Sequence, residues 1–370
     1  MRYLFLGIIF IHGLIHLLGF IHGSGLEEVK GLTIPVSKSM AFLWLIASFL
    51  VIIYGIAYFA DYRYNWLFGF FAFVLSQLLI IIYWKDAKFG TIPNAVIIIL
   101  SIISYGYFNF QNLVQQETIR LISQVKTLDN KVVSQQDIKN LPGPVKRWLY
   151  SSGIVGKPYI MIGRILQEAE MKIKPEQKKW FSAKAIQYTA IDLPGFIWSV
   201  DVKMNSFVSF LGRDRFEDGK GEMLIKLNSL IKIVDERGEK LDEGTLQRYI
   251  GEMVWLPSLA LSPYIKWQEV DNNSAIATMN YKGNRASGTF YFNAEGDFVK
   301  FTAMRFMGNE PLSKKYQWVL LVEDYKFFEG IKVPSKMTAT WKLEKEDWTW
   351  LKLEIKDIKY NEAAIGEKFL

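Results

Sequence analysis

Four stretches of this chain, residues 3–20, 39–60, 64–84 and 91–110, carry no acidic or basic side chain apart from histidine. At 1.5 Å per residue, about 20 residues cross a hydrocarbon core of about 30 Å. Backbone inside such a core must satisfy its own hydrogen bonds, so residues 1–112 are expected to form four transmembrane helices. Tyr62, Tyr64, Trp66, Tyr83, Trp84, Tyr105 and Tyr107 stand at the segment ends, where interfacial aromatic anchors belong. One basic residue precedes the first segment and no small-residue cleavage site follows it, so it reads as a helix rather than a secretory leader.

An even number of spans puts the N-terminus and everything after residue 112 on one side. Lys30, Lys38, Lys85 and Lys88 fall in the loops of the other side, against Arg2 and Arg63 on the N-terminal side. The positive-inside rule then places the C-terminal part outside the cytoplasm of a bacterial membrane.

The chain's three histidines, His12, His16 and His22, lie within eleven residues of the first span. His12 and His16, four apart, share one helix face. Polar groups in a membrane face a partner or a wet cavity. A metal, haem or proton-relay site is one reading. Hydrogen bonding to Ser48, Ser76, Gln77 or Ser101 of neighbouring helices is the other, and it is favoured because no cysteine and no further histidine exists to complete a ligand set. The absence of cysteine also excludes disulfides, iron–sulfur clusters and a thiol nucleophile. No bound cofactor is expected.

Up to Asn112 there are six basic and four acidic residues, which leaves 38 of the chain's 44 basic and 33 of its 37 acidic residues for the remainder. So mild a positive balance does not indicate nucleic acid. It suits an ordinary solvated surface, or an anionic bilayer nearby. Residues 113–140 are polar and helix-permissive, with Leu113, Ile119, Ile122, Val125 and Leu128 near helical spacing, and read as a juxtamembrane helix and linker. The run Leu141-Pro142-Gly143-Pro144-Val145-Lys146-Arg147-Trp148-Leu149 opens a short helix closed by Gly153.

From there the apolar period changes to two. Ile165, Ala169, Met171 and Ile173 alternate with charged residues, as do Phe196, Trp198, Val200 and Val202 with Ser199, Asp201 and Lys203. Residues 240–253 revert to a helical period through Leu246, Tyr249, Ile250 and Met253, and Pro257 ends it. Beyond lie β-type runs separated by turn signals such as Lys282-Gly283-Asn284 and Glu329-Gly330. Residues 141–370 are thus expected to be an α+β domain, a curved antiparallel half-barrel with one or two packed helices. No phosphate loop, βαβ alternation or fixed repeat is present.

Three stretches resemble an uncharacterised family of bacterial membrane-tethered domains. They are the 141–149 run, Arg164-x-x-Gln167, and Leu246-x-Arg248-Tyr249-x-x-Glu252-x-x-Trp255-x-Pro257. The ending Tyr325-Lys326-Phe327-Phe328-Glu329-Gly330-Ile331-Lys332-Val333-Pro334, with the hairpin after it, also resembles LolA/LppX-type lipoprotein-carrier domains. That resemblance implies a half-barrel whose concave face holds acyl chains under a helical lid. The expected function is therefore non-catalytic binding of a lipid, a lipoprotein acyl chain or another apolar ligand beside the bilayer. The alternatives are a redox or metal protein using His12 and His16, a hydrolase around Glu252, and a protein-interaction module.

Arg248, Glu252, Trp255, Trp198 and Arg164 are the candidate ligand-binding residues. Arg248 and Glu252 are an i,i+4 pair that is either a pocket acid with its partner or a structural tether for the helix. A carboxylate lacking a second acid, a metal or a nucleophile is a poor catalyst. Most tryptophans beyond residue 112 should be sheet core, and some could line an apolar cavity. Arg213-Asp214-Arg215, just before the Asp218-Gly219 turn, reads as an exposed loop tip.

Overall fold

The computed structural model describes residues 2–125, 131–205 and 207–362. Leu128 of the expected juxtamembrane helix lies outside them. Two compact units are formed, residues 1–111 with 228–230, and residues 112–227 with 231–370.

In the first unit α1 (Arg2–Ser24), α2 (Lys38–Phe59) and α3 (Asn65–Ile82) are followed by the single turn α4 (Trp84–Ala87) and by α5 (Thr91–Ser123), whose residues from Asn112 on belong to the second unit. Among the described residues four helices are long and apolar enough to cross a membrane. Helix α5 runs without interruption through both the fourth apolar segment and the start of the polar stretch after it, because residues 110–123 contain neither glycine nor proline. Small residues bring α1 and α2 together: a Cβ at Gly19 would fall 2.5 Å from the Trp44 ring. Asp86 fastens the loop before α2, accepting from the Thr33 and Ile34 amides at 2.7 and 2.9 Å and from the Thr33 hydroxyl at 2.8 Å.

In the second unit the short helices α6 (Gln135–Ile138) and α7 (Gly143–Ser151) precede the strands. Among the described residues thirteen strands form one antiparallel sheet: β1 (Ile162–Met171), β2 (Phe181–Ala190), β3 (Gly195–Lys203), β4 (Ser209–Glu217), β5 (Lys220–Leu227), β6 (Ile231–Arg237), β7 (Ile265–Asp271), β8 (Ser274–Tyr281), β9 (Asn284–Phe292), β10 (Phe298–Phe306), β11 (Lys315–Phe328), β12 (Ile331–Lys342) and β13 (Asp347–Tyr360). The order is β6-β5-β4-β3-β2-β1-β13-β12-β11-β10-β9-β8-β7. It is two meanders sewn together by the long-range pair β1–β13, in which Ile165 faces Ile358. The hairpins β4–β5, β8–β9 and β11–β12 turn on Asp218-Gly219, Lys282-Gly283 and Glu329-Gly330, each with positive φ at both residues, as two-residue hairpins of matching twist require.

The two edge strands, β6 and β7, do not pair with each other, so the sheet stays open. The chain between them forms α8 (Glu239–Gly251) and the 3-10 turns Glu252–Trp255 and Pro257–Leu261. Helix α8 touches β4, β5 and β6 of one meander and β8, β9 and β10 of the other, so it lies in the concavity. Its Leu246, Tyr249 and Ile250, followed by Met253, Val254, Trp255 and Leu256, are all 2% exposed or less. Burial of each such side chain contributes about 1.5–3 kcal/mol. Phe301 and Leu320 close on the helix where Gly251 omits a side chain. The expected half-barrel with a packed helix is what the chain forms.

One expectation fails. Arg213, Asp214 and Arg215 are not a loop tip but the middle of β4, paired with Ser199, Trp198 and Ile197 of β3. A two-residue turn at Asp218-Gly219 leaves no room for a longer loop, so the strand continues to Glu217.

Gly288 on β9 lies beneath the Phe301 ring, which an added side chain would overlap. The substitution Gly288→Val should therefore destabilise the fold by about 1–3 kcal/mol, read as a lower melting temperature of the purified protein. Gly31→Ala, with nothing within 4 Å, should leave the melting temperature unchanged.

Candidate functional site

On β2, β3 and β4 the inward-facing residues Gln187, Trp198 and Asp214 are direct cross-strand neighbours. Neighbours of this kind sit about 5 Å apart, so one long side chain reaches all three. Arg248 of α8 is that side chain. Its Nη1 donates to Asp214 Oδ2 at 2.7 Å, its Nη2 to Gln187 Oε1 at 3.0 Å, and its Nε to Glu252 Oε1 at 2.7 Å. The guanidinium carbon lies 4.7 Å from the Trp198 ring centre and 4.9 Å from that of Phe196. Gln187 Nε2 in turn donates to Glu252 Oε2 at 2.7 Å, and Trp198 Nε1 to Gln167 Oε1 at 3.0 Å.

The side chains of Arg248, Asp214 and Glu252 are 13, 18 and 11% exposed. Burial pulls the Arg248 pKa down, but the carboxylates of Glu252 and Asp214 more than reverse this and hold it above the usual guanidinium value. Both carboxylates are thereby committed to one arginine. With both carboxylates bonded to it, Arg248 fastens the helix to the sheet. Other polar ties add to it: Tyr249 Oη donates to the Ala190 carbonyl at 2.7 Å, Gln247 Nε2 to the Met304 carbonyl at 2.9 Å, and Asp242 Oδ1 accepts from the Gly221 amide at 2.8 Å.

Of the residues expected from sequence, the structure brings Arg248, Glu252 and Trp198 together and leaves two out. Arg164 faces the opposite side of β1, 3.7 Å from Asp357 of β13. Trp255 is core, donating from Nε1 to the Pro334 carbonyl at 3.1 Å. Gln167, Gln187 and Asp214 belong to the group but were not singled out. For Asp214 the signal was there: the tight turn sets the alternation, which puts it on the face of Phe210, Gly212 and Phe216.

The outward neighbours of Asp214 serve another helix. Glu117 of α5 meets Arg213 at 3.1 Å and Arg215 at 3.4 Å, Glu222 of β5 meets Arg215 at 2.6 Å, and Arg120 grips Glu217 with bonds of 2.9 and 2.7 Å. Among the described clefts is a charged one of about 410 Å³ lined by residues such as Glu168, Lys184, Lys336 and Glu354. Its charges are cross-strand neighbours, Glu168 opposite Lys184 and Lys336 opposite Glu354, and largely neutralise one another.

In the helical unit His12 and His16 lie in a polar network that leaves His16 Nδ1 without a partner among the described residues. The Ser76 hydroxyl donates its single proton to Asn94 Oδ1 at 2.9 Å, so His16 Nε2, 2.7 Å away, donates to Ser76, and His12 Nε2 donates to Asn94 Oδ1 at 2.9 Å. Asn94 Nδ2 continues to Gln77 Oε1 at 3.0 Å, and Gln77 Nε2 to Thr91 Oγ1 at 3.2 Å. Ser76 was anticipated as a partner. Asn94 was not, and Ser101 bonds the Ile97 carbonyl instead. Among the described residues no group of three or more His, Cys, Asp or Glu side chains converges as a metal site.

The profile of a family of unknown function, DUF6544, matches residues 131–353. The chain belongs to that family. The DUF6544 region contains the whole Arg248 constellation and none of the histidines. Among solved structures, a LolA superfamily protein from Nitrosomonas europaea is similar with a TM-score of 0.33 and 7% identity, over 60% of this chain and 94% of that one. A β-barrel-like DUF1849 protein from Brucella abortus gives 0.25 and 7%, over 55% and 99%. No curated protein matches the chain.

Arg248→Met would leave Asp214 and Glu252 buried without their cation. It should destabilise the protein by about 3–5 kcal/mol in thermal unfolding. The triple variant that also carries Asp214→Asn and Glu252→Gln should lose less than the single one.

Proposed function

We propose that this chain is a membrane-anchored, non-catalytic binder of a lipid or other amphiphile, with α8 as a movable plug. One observation carries the reading. The concave face of an open sheet is covered by a single connecting segment, held by the polar contacts of Arg248, Tyr249, Gln247 and Asp242 as well as by its apolar face. The surface beneath it is apolar, with Phe216, Phe290, Phe301 and Leu320 among its residues. In the closed state the plug fills that space, so a ligand enters only as α8 lifts. Anchoring helices keep the domain beside its ligand source, and the lysine-rich loops of the first unit support placing the domain outside the cytoplasm.

A plug that must open lowers apparent affinity by the fraction of molecules that are open. Loosening it should therefore strengthen binding. The full-length protein in nanodiscs should bind a fluorescent fatty-acid analogue saturably. Arg248→Lys, which keeps the charge but loses the fork, should bind more tightly while melting lower. Absence of saturable binding to the wild type would sink the reading, and a Soret band or stoichiometric metal in the purified protein would turn attention to His12 and His16. Reporter fusions after residue 362 should be active only as extracytoplasmic reporters; cytoplasmic activity there would reverse the orientation.

A further inference from the structure

Arg305 of β10 differs from the other largely buried arginines. Arg248 has two carboxylates, and Arg213 and Arg215 have Glu117 and Glu222. Arg305 is half-buried on the inner face yet has no ion pair or hydrogen-bond partner among the described residues. Its guanidinium carbon lies 4.6 Å from the Trp318 ring centre and 5.9 Å from that of Trp341. Helix α8 passes it with Gly244, where a Cβ would come to 3.2 Å from its Nε. Burial, and then the nearby charge of Arg248, push its pKa down to about 10 against the opposing pull of the Asp214 and Glu252 carboxylates, which reach it without bonding to it, and it stays cationic near neutrality. A planar cation with five N–H donors, held on aromatic faces, is built to take a carboxylate or phosphate in two parallel bonds. The buried Trp318 Nε1, a donor with no partner, lies on the same platform.

The surface leading away from Arg305 is apolar. Trp318, Trp341 and Trp348 are successive cross-strand partners on β11, β12 and β13. In the next row Leu351 of β13 faces Met171 of β1, which faces Phe181 of β2, and all three are half-buried rather than sealed. From β11 to β2 there are four strand steps of about 4.8 Å, or roughly 19 Å in all. One leaflet of a bilayer, half of an approximately 30 Å core, gives an acyl chain about 15 Å. The row is long enough for one chain.

We propose that Arg305 is the head-group subsite for a single-chain amphiphile ending in a carboxylate or phosphate, with the chain lying along Trp341, Trp348, Leu351, Met171 and Phe181. This rests on the amphiphile-binding reading above and adds the head chemistry and its position. The charge complementarity, a cation with no carboxylate bonded to it at one end of an apolar row, selects this occupant over a neutral lipid.

The test is displacement of the fluorescent fatty-acid analogue from the full-length protein in nanodiscs by palmitate, hexadecyl phosphate, hexadecanol and inorganic phosphate. The wild type should prefer the two anionic amphiphiles to hexadecanol by tenfold or more. Arg305→Gln should abolish that preference while leaving hexadecanol within twofold, and Arg305→Lys should keep part of it. Equal wild-type affinities for palmitate and hexadecanol would overturn the subsite while leaving amphiphile binding intact, even if Arg305→Gln failed to fold. A folded Arg305→Gln that kept the preference would do the same. Inorganic phosphate competing as well as hexadecyl phosphate would assign Arg305 to a free anion and overturn the head-group role. No displacement or binding by any amphiphile would refute the parent reading and this one with it.

Discussion

An open sheet has an inner face that must be covered and two edges that must end somewhere. Here β1 and β13 pair, β6 and β7 do not, and the segment joining those two edges is the one that folds into the concavity. The rest of the second unit follows from this. The helix has to reach strands of both meanders, so it is apolar where it meets Phe301 and Leu320, and polar where it meets the row Gln187, Trp198 and Asp214. Buried ion pairs gain little over well-packed apolar groups, but removing one partner is costly. The Arg248 cluster therefore acts as register information for α8: a displaced helix would leave a buried charge unpaired.

Strand β4 is where two such constraints meet. Its alternation sends Asp214 inward to α8 and Arg213 and Arg215 outward to Glu117 of α5. Three consecutive residues thus hold a helix on each face of one strand. The helical unit solves a related problem without charge. His12, His16 and Asn94 bond one another's neighbours through Ser76 and Gln77, the usual resort of polar side chains in an apolar core, with His16 Nδ1 left over.

Much of this architecture was readable along the chain. Four uncharged segments of bilayer length, period-two alternation after residue 160, a helical period around Leu246 and Tyr249, and two-residue turn signals are local features, because propensity, hydropathy and turn chemistry act between near neighbours. Arg248 and Glu252 could be paired for the same reason, being one helical turn apart. Arg213-Asp214-Arg215 was misread because three charges in a row resemble a solvated tip, and only strand register shows that a charge faces a partner on each side.

What the sequence by itself determined is therefore the set of elements, their order and the faces they bury. Tertiary structure decided which distant residues meet. Asp214 and Arg248, 34 positions apart, join because β4 and α8 are pressed together; Arg164 and Trp255 are excluded from the group by the side of the sheet and the turn on which they lie. Asn94 became the partner of His12 across 82 positions through helix packing. Arg305 became conspicuous only once it was seen to lie against tryptophans and a glycine with no carboxylate bonded to it. The physical reason is common to all four. Side-chain chemistry is written locally, but the desolvation and pairing that give it consequence depend on non-local packing, which periodicity in one dimension does not specify.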